Sequence, residues 1–333
     1  MVSVTPDTGG NGAPGALRAP RLCGMTEARC AVVANPTKLD DDGAALVRSR
    51  LAEAGYPEPL WLETTADDPG RAMTEQALEA GAELVVAAGG DGTIRVVAAV
   101  LAGSDATMAI VPAGTGNLLA RNLALPLDVA GAMDVAVGSE ERSIDTVLLT
   151  VDGGEPDRFA VMAGTGLDAM IMGNVDDRLK KFIGPAAYFV SATKAIGRLP
   201  VPVHVTVDGK RHKRKAIICL VGSCGELTGG LELIPGAEPD DGLLYVYMAF
   251  PSRPTHWIKA FIRLVTRRPQ KDDHVQVWPG RKVEVRLEQE DAYELDGDVV
   301  GHGRVLQAEV DPGSLRIRAR APHREPPAPT NPA

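Results

Sequence analysis

Between Cys30 and Pro112 short apolar runs alternate with amphipathic segments, and this alternation limits the fold class more than any other feature of the sequence. Cys30-Ala-Val-Val-Ala34 has the length and character of a buried strand. Gly43–Gly55 follows as a helix, with Leu46, Val47 and Leu51 on one face and Gly55 as its C-terminal stop. Leu60–Thr65 reads as a second strand, and Pro69–Gly81 as a helix with proline near its start and glycine at its end. Leu84–Ala88, Thr93–Gly103 and Met108–Pro112 add a strand, a helix and a strand. Strands separated by helices at these spacings form βαβ units, which require a mostly parallel sheet.

After about Ile144 the texture changes. Strand-like stretches with hairpin signals recur at Val203–Asp208, Lys215–Val221, Leu243–Phe250, Val283–Glu288 and Leu315–Arg318. Helical interruptions fall near 176–198 and 254–268, and no fixed-period repeat is present. The expected organisation is an α/β domain over 28–143 and a β-rich antiparallel domain over 144–304, with a C-terminal segment at about 305–320 returning to the first. Residues 1–27 and 321–333 are rich in Gly, Pro, Thr and Ala without an apolar face, and are expected to be disordered, with Met25 as an alternative start.

A length of 333 residues suits two such domains, and aromatics at 4% leave aliphatic side chains to build most of the core. The formal charge of −9 disfavours a general nucleic-acid binder, so any anionic partner has to be met by local features. Cys23, Cys30, Cys219 and Cys224 form no CxxC pair, which excludes the usual zinc spacings and fits a reducing compartment. No apolar run approaches the roughly 18 residues of a membrane span, and no secretory signal opens the chain. The expected location is cytoplasmic.

The strongest local signal is Gly89-Gly90-Asp91-Gly92-Thr93, between the third strand and the third helix. A parallel strand delivers such a loop to the carboxyl edge of the sheet, where ligands of open α/β folds bind. Glycines let the backbone approach a phosphate closely, and the helix that follows aims its first N–H groups at it. The simpler alternative is a tight strand-to-helix turn capped by Asp91. A second loop, Pro112-Ala-Gly114-Thr115-Gly116-Asn117, follows the fourth strand, and Thr64 and Thr65 end the second. Three strand ends on one edge, each with Gly or Thr donors, point to a phosphate site. Gly164-x-Gly166-x-x-Ala169 matches a dinucleotide fingerprint but lacks an acidic ribose partner, and reads as a structural turn facing substrate. No GxxxxGK[ST] loop occurs.

The two glycine loops together resemble the bacterial lipid kinases of the diacylglycerol-kinase catalytic-domain family, relatives of sphingosine and ceramide kinases. The resemblance extends to Asn35-Pro36 at the first strand, Gly164-Thr-Gly-Leu-Asp168-Ala, Pro239-Asp-Asp241-Gly-Leu243-Leu and Leu295-Asp296-Gly297-Asp298, covering about 29 to 320. It implies a phosphofructokinase/NAD-kinase-like α/β N-terminal domain joined to a second, β-rich antiparallel sandwich that receives the lipid. It implies ATP against Thr64 or Thr65, Gly89, Gly90, Asp91, Gly92 and Thr93, and against Gly114, Thr115, Gly116 and Asn117. It also implies a structural Mg²⁺ held by the Asp241 side chain with the carbonyls of Glu238 and Leu243. Asp298 takes the position of the general base, with Asp296 as its rival, and Asp91 is the first-domain carboxylate placed to hold the Mg²⁺ that bridges the phosphates.

Two positions depart from the family pattern. Arg95 and Val96 stand where Asn-Glu is usual, which removes one nucleotide contact and offers a guanidinium to phosphate instead. The base position carries Asp298 rather than Glu, one methylene shorter. The reaction expected from the resemblance is transfer of the γ-phosphate of ATP to a lipid hydroxyl, diacylglycerol first among candidates. The rivals are a kinase for a sphingoid base, another lipid alcohol or NAD, and a non-catalytic nucleotide-binding regulator.

Two segments suit an anionic membrane surface. Pro254–Arg268 sets Trp257, Phe261, Leu264 and Val265 at helical spacing among Lys259, Arg263, Arg267 and Arg268, and Asp177–Leu199 carries Lys180, Lys181, Phe182, Tyr188, Phe189, Lys194 and Arg198. Lys210-Arg-His-Lys-Arg-Lys215 reads as a hairpin with outward charges. The partners expected are therefore a lipid substrate and an anionic membrane met peripherally at its inner face, with no nucleic acid; a homodimer is compatible with this reading.

Overall fold

The computed structural model describes residues 29–138, 140–165, 200–227, 231–250 and 274–320. The helical segments expected near 176–198 and 254–268, and Gly166 to Ala169, lie outside the described residues. The first part of the chain runs β1 (Cys30–Ala34), α1 (Asp41–Glu53), β2 (Leu60–Glu63), α2 (Arg71–Glu79), β3 (Leu84–Gly89), α3 (Asp91–Leu101), β4 (Thr107–Pro112), α4 (Leu118–Asn122) and α5 (Val129–Gly138). The four strands pair in parallel in the order β2-β1-β3-β4. All four therefore end at one edge, which carries Thr64, Asn35, Gly90 and Ala113.

Both faces of this sheet are covered, as unbroken apolar strands demand. Cys30, Val32 and Ala34 join Val86, Ala109 and Val111 under Val47 and Leu51 of α1 and Met133 of α5. Ala31 and Val33 point the other way, with Val85 and Ile110, under Ile94, Val97 and Leu101 of α3. The helices start and stop where side-chain chemistry dictates. Asp40 accepts the Gly43 N–H at 2.8 Å, and Gly55 leaves α1 at φ 93°.

The chain continues through β5 (Glu141–Val151), β6 (Asp157–Phe159), β7 (Met162–Thr165), β8 (Val201–Val207), β9 (Lys210–Ala216), β10 (Ile218–Gly222), β11 (Glu226–Leu227), β12 (Leu231–Glu232), β13 (Leu244–Ala249), β14 (Val275–Gly280), β15 (Lys282–Leu295) and β16 (Asp298–Arg318). This half is antiparallel, and its interior holds Phe159, Val203, Val205, Leu244, Met248 and Leu295. The mixed α/β class with a β-rich sandwich, expected from the sequence, is the fold observed.

Three local expectations change. Lys215–Val221 is not one strand: β9 and β10 part at Ile217, whose N–H bonds Ala249 O at 2.9 Å. Gly164 lies inside β7 rather than in a turn, opposite Leu220 on one side and Glu294 on the other. A Cβ there would come 2.5 Å from Cys219 O, so close strand packing accounts for this glycine. Finally, β5 runs without a break through the change of texture at residue 144. Its partner β16 is long enough to serve both halves, pairing with β15 and β5 before Ile317 lies parallel to Met108 of β4.

The turn between β15 and β16 is Asp296-Gly297, both at positive φ (48° and 93°). The Asp296 side chain is enclosed and accepts the N–H groups of Ala160, Val161 and Met162 at 3.2, 3.0 and 2.8 Å. Burial pushes its carboxyl up to about 6, against the pull of those amides. The folded protein therefore holds this proton more tightly than the unfolded chain. The resulting stabilisation is complete below pH ~4 and is lost as pH rises through about 6. Asp296→Asn should flatten this part of the stability profile, which in the native protein amounts to on the order of 3 kcal/mol. Melting temperatures of both proteins between pH 4 and 7 test this; parallel profiles would refute it.

Candidate active site

At the carboxyl edge of the parallel sheet the two glycine loops touch backbone to backbone. A Cβ on Gly114 would come within 2.8 Å of Gly90 Cα, and one on Gly89 within 2.8 Å of Thr93 Cβ, so both positions require glycine. The Ala113 N–H bonds Gly89 O at 2.8 Å. Asn117, in the left-handed region at φ 52°, closes its own loop: its Oδ1 accepts the Gly114 N–H at 2.9 Å, and its Nδ2 donates to Gly114 O at 3.0 Å.

Asp91 fastens one loop to the other. Its Oδ2 accepts the Asn117 N–H at 2.8 Å and its Oδ1 the Leu118 N–H at 2.6 Å, so it caps α4 from a different element. The sequence reading gave this side chain to Mg²⁺ or to its own turn. Both oxygens are instead engaged by the second loop. Burial raises its carboxyl above the usual range, with the nearby Asp298 charge adding to the effect, while the two amides oppose it.

α3 begins at Asp91, and its hydrogen-bond ladder starts with Ile94 N–H to Gly90 O at 3.0 Å. The amides of Asp91, Gly92 and Thr93 thus precede the ladder at a helix N-terminus, an arrangement that favours anions. Thr115 is exposed on the second loop. Of the two threonines after β2, Thr64 is buried beneath Gly70, while Thr65 is exposed and accepts the Asp68 N–H at 3.0 Å. Arg121 was not singled out from the sequence, yet its Nε donates to Gly116 O at 2.8 Å, setting a cation beside the second loop. Its position four residues after Asn117, one helical turn on, was the available signal.

The second half of the chain supplies the facing acid. A Cβ on Gly92 would lie 2.8 Å from Asp298 Oδ2, so this carboxylate rests directly on the first glycine loop. Although Asp298 as a residue is exposed, its carboxylate is crowded by the loop, and this loss of hydration raises its pKa. The Arg95 guanidinium pulls it the other way. Asp296, two residues earlier, is walled in beneath the amides of 160–162 and cannot serve as the facing acid.

Arg95 is not spread over the phosphate edge as the sequence suggested. Its Nη1 sits 3.2 Å from Asp157 Oδ2 of β6, and its side chain is only 11% exposed, so it binds α3 to the second half. Asn122 performs a parallel task at α4, exchanging two hydrogen bonds with the Glu226 backbone at 2.8 and 2.9 Å.

The Asp241 segment forms a loop closed on its own carboxylate. The Asp241 carboxylate accepts the N–H groups of Glu238 and Leu243 at 3.1 and 2.9 Å and the Tyr245 hydroxyl at 2.8 Å. Its carboxylate oxygens are of the hard type that Mg²⁺ prefers. Among the described residues no group of three or more His, Cys, Asp or Glu side chains is arranged to hold a metal ion.

Two known domain families match consecutive parts of the chain. Residues 29–149 match the diacylglycerol kinase catalytic domain, and residues 161–319 match the YegS C-terminal NAD kinase beta sandwich-like domain. A protein of Pseudomonas savastanoi pv. phaseolicola named probable lipid kinase YegS-like is 30% identical over 89% of this chain and 95% of its own. The diacylglycerol kinase of Bacillus subtilis is 28% identical over 82% of this chain and 90% of its own. A crystal structure of a diacylglycerol kinase from Bacillus anthracis shares the fold with a TM-score of 0.68 at 22% identity, covering 89% of this chain and 98% of that one. With its paired glycine loops, the acid that faces them and both domain matches in register, the chain belongs to the bacterial diacylglycerol kinase and YegS-like lipid kinase family.

Proposed function

We propose that this lipid kinase transfers the γ-phosphate of ATP to the free hydroxyl of diacylglycerol, giving phosphatidic acid and ADP. The observation that carries the reading is the Asp298 carboxylate lying on Gly92, at the mouth of two loops built to receive phosphate. The names of relatives from Bacillus subtilis and Mycobacterium tuberculosis, both diacylglycerol kinases, favour this lipid over other alcohols.

In this reading the triphosphate lies along the amides of Asp91, Gly92 and Thr93, with Thr115 and Arg121 at its flank. Asp298 accepts the hydroxyl proton as the lipid oxygen attacks the γ-phosphorus and the bond to the β-phosphate oxygen breaks. Such transfer depends on positioning and charge neutralisation more than on covalent help from the protein. Mg²⁺ accompanying ATP supplies part of that neutralisation. The lipid is met at the inner membrane face, by a protein without a helix among the described residues long and apolar enough to cross it.

Two carboxylates contribute differently. Asp298→Asn should reduce turnover by about 10²-fold or more without lowering the melting temperature, since it removes proton transfer and leaves the packing intact. Asp91→Ala should reduce turnover and melting temperature together, because it unfastens the loops. Equal melting temperatures for the two variants would refute this division.

The base acts deprotonated, so kcat/KM should fall on the acid side as pH drops through the raised pKa of Asp298. Arg95→Gln removes the cation that lowers that pKa, and the acid limb should move to higher pH. An unmoved limb would place the base elsewhere. Purified protein with ATP, Mg²⁺ and a panel of diacylglycerol, sphingoid base, other lipid alcohols and NAD should turn over diacylglycerol best. Preference for another acceptor would replace the substrate assignment.

A further inference from the structure

We propose that the edge strand β9, together with β14 beside it, is a docking surface for the anionic face of a lipid bilayer. The lipid-kinase reading enters only in choosing a membrane as the occupant. β9 pairs with β8 alone, and β14 ends the long strand path by pairing with β13 alone. These two unpaired edges meet: the His212 ring stacks on Trp278 with centroids 4.6 Å apart, and Arg214 Nε donates to Gln276 Oε1 at 3.1 Å.

The surface they form is unusual for a chain of formal charge −9. Lys210, Arg211, Lys213, Arg214 and Lys215 are all exposed, on a strand of seven residues spanning roughly 20 Å. Among the described residues none of the five forms an ion pair. Two neighbouring acids feel this strand, since Lys210 helps to lower the pKa of Asp208 and Arg211 that of Glu284, but each has stronger partners. Asp208 accepts the N–H groups of Arg281 and Lys282, and Glu284 is held by Arg286 and Gln307. Lys213, Arg214 and Lys215 have no acid partner among the described residues and can meet an external anion.

Strand alternation puts Lys210 and Arg214 on one face of β9, with His212 and Val201, and Arg211, Lys213 and Lys215 on the other. Val201, opposite Ala216 at one end of β9, is 49% exposed, and Val277 on β14, next to Trp278, is 38% exposed. Seen edge-on, long cationic side chains leave β9 on both sides, with one exposed valine at its end and another on β14, a composition that suits the boundary between headgroups and acyl chains. A nucleic-acid backbone would reward the charges but not the valines. Cations on an edge strand also discourage pairing with other strands, and this protective role alone is the bland alternative.

The test uses the full-length protein and vesicles of phosphatidylcholine with increasing phosphatidylglycerol. Bound protein should rise with the anionic fraction and fall with salt. A variant with all five cations changed to Gln should bind on the order of 10³-fold more weakly, at about fivefold per charge near the surface. Lys213→Glu with Lys215→Glu should be repelled as the anionic fraction rises. Both variants should phosphorylate a short-chain diacylglycerol in detergent within twofold of the native rate. Variants that bind vesicles like the native protein would overturn the proposal and leave only edge protection. Binding indifferent to the anionic fraction, or tighter binding to an oligonucleotide at the same salt, would overturn it too. Failure of the native protein to phosphorylate the short-chain lipid would instead sink the substrate assignment, with the vesicle result read independently.

Discussion

The Asp91 carboxylate holds the amides of Asn117 and Leu118, and the candidate site depends on that clamp. A parallel sheet brings its strand ends to one edge, but it does not fix loops that lie beyond its ladder. Here two loops that contain glycine at their closest approach, Gly90 against Gly114, have no side chains to interlock. A charged acceptor bridging them replaces that missing packing. Hydrogen bonds of this charge-assisted kind contribute about 1.5–3 kcal/mol each, enough to hold a shape that apolar contacts cannot. The acidity of Asp91, commonly read as a sign of metal chemistry, is here first a structural device.

The same economy governs how the two halves meet. Arg95 reaches Asp157, Asn122 reaches the Glu226 backbone, and β16 begins beside the glycine loops at Asp298 and ends against β4. The buried turn at Asp296 is strained in φ and loses favourable hydration, yet it directs the next acid, Asp298, onto Gly92. Two carboxylates in one hairpin thus take separate tasks because one is sealed under three amides and the other faces an opening. Their identity alone does not separate them.

That contrast shows what was legible in the sequence. The βαβ order, the glycine loops, the helix stops and the outward charges of Lys210–Lys215 were readable because each is decided by neighbours within a few residues. Gly55 can be recognised as a helix stop from its own segment, and the structure gives it φ 93°. The partner of Asp91 lies 26 residues away, that of Arg95 62 residues away and those of Asp296 more than a hundred, so no local pattern announces them. The misplacements share this cause. Arg95 was given to phosphate because a guanidinium beside a glycine loop suits phosphate, while the competing carboxylate at Asp157 was invisible. Gly164 was read as a turn because glycine favours turns, whereas the approach of Cys219 O explains it as a strand residue.

Arg95 links these observations. The cation that ties α3 to β6 also lowers the pKa of Asp298, opposing the burial that raises it. In the proposed role, contact between the two halves both dehydrates Asp298 and brings up the charge that opposes the resulting rise in its pKa. If the halves parted, the base would regain water and lose Arg95 together, so its pKa would change less than either effect alone would produce. In the proposed role the shorter reach of Asp298 makes this contact matter more, because a carboxylate one methylene nearer its backbone approaches a hydroxyl only when the hairpin itself lies against Gly92.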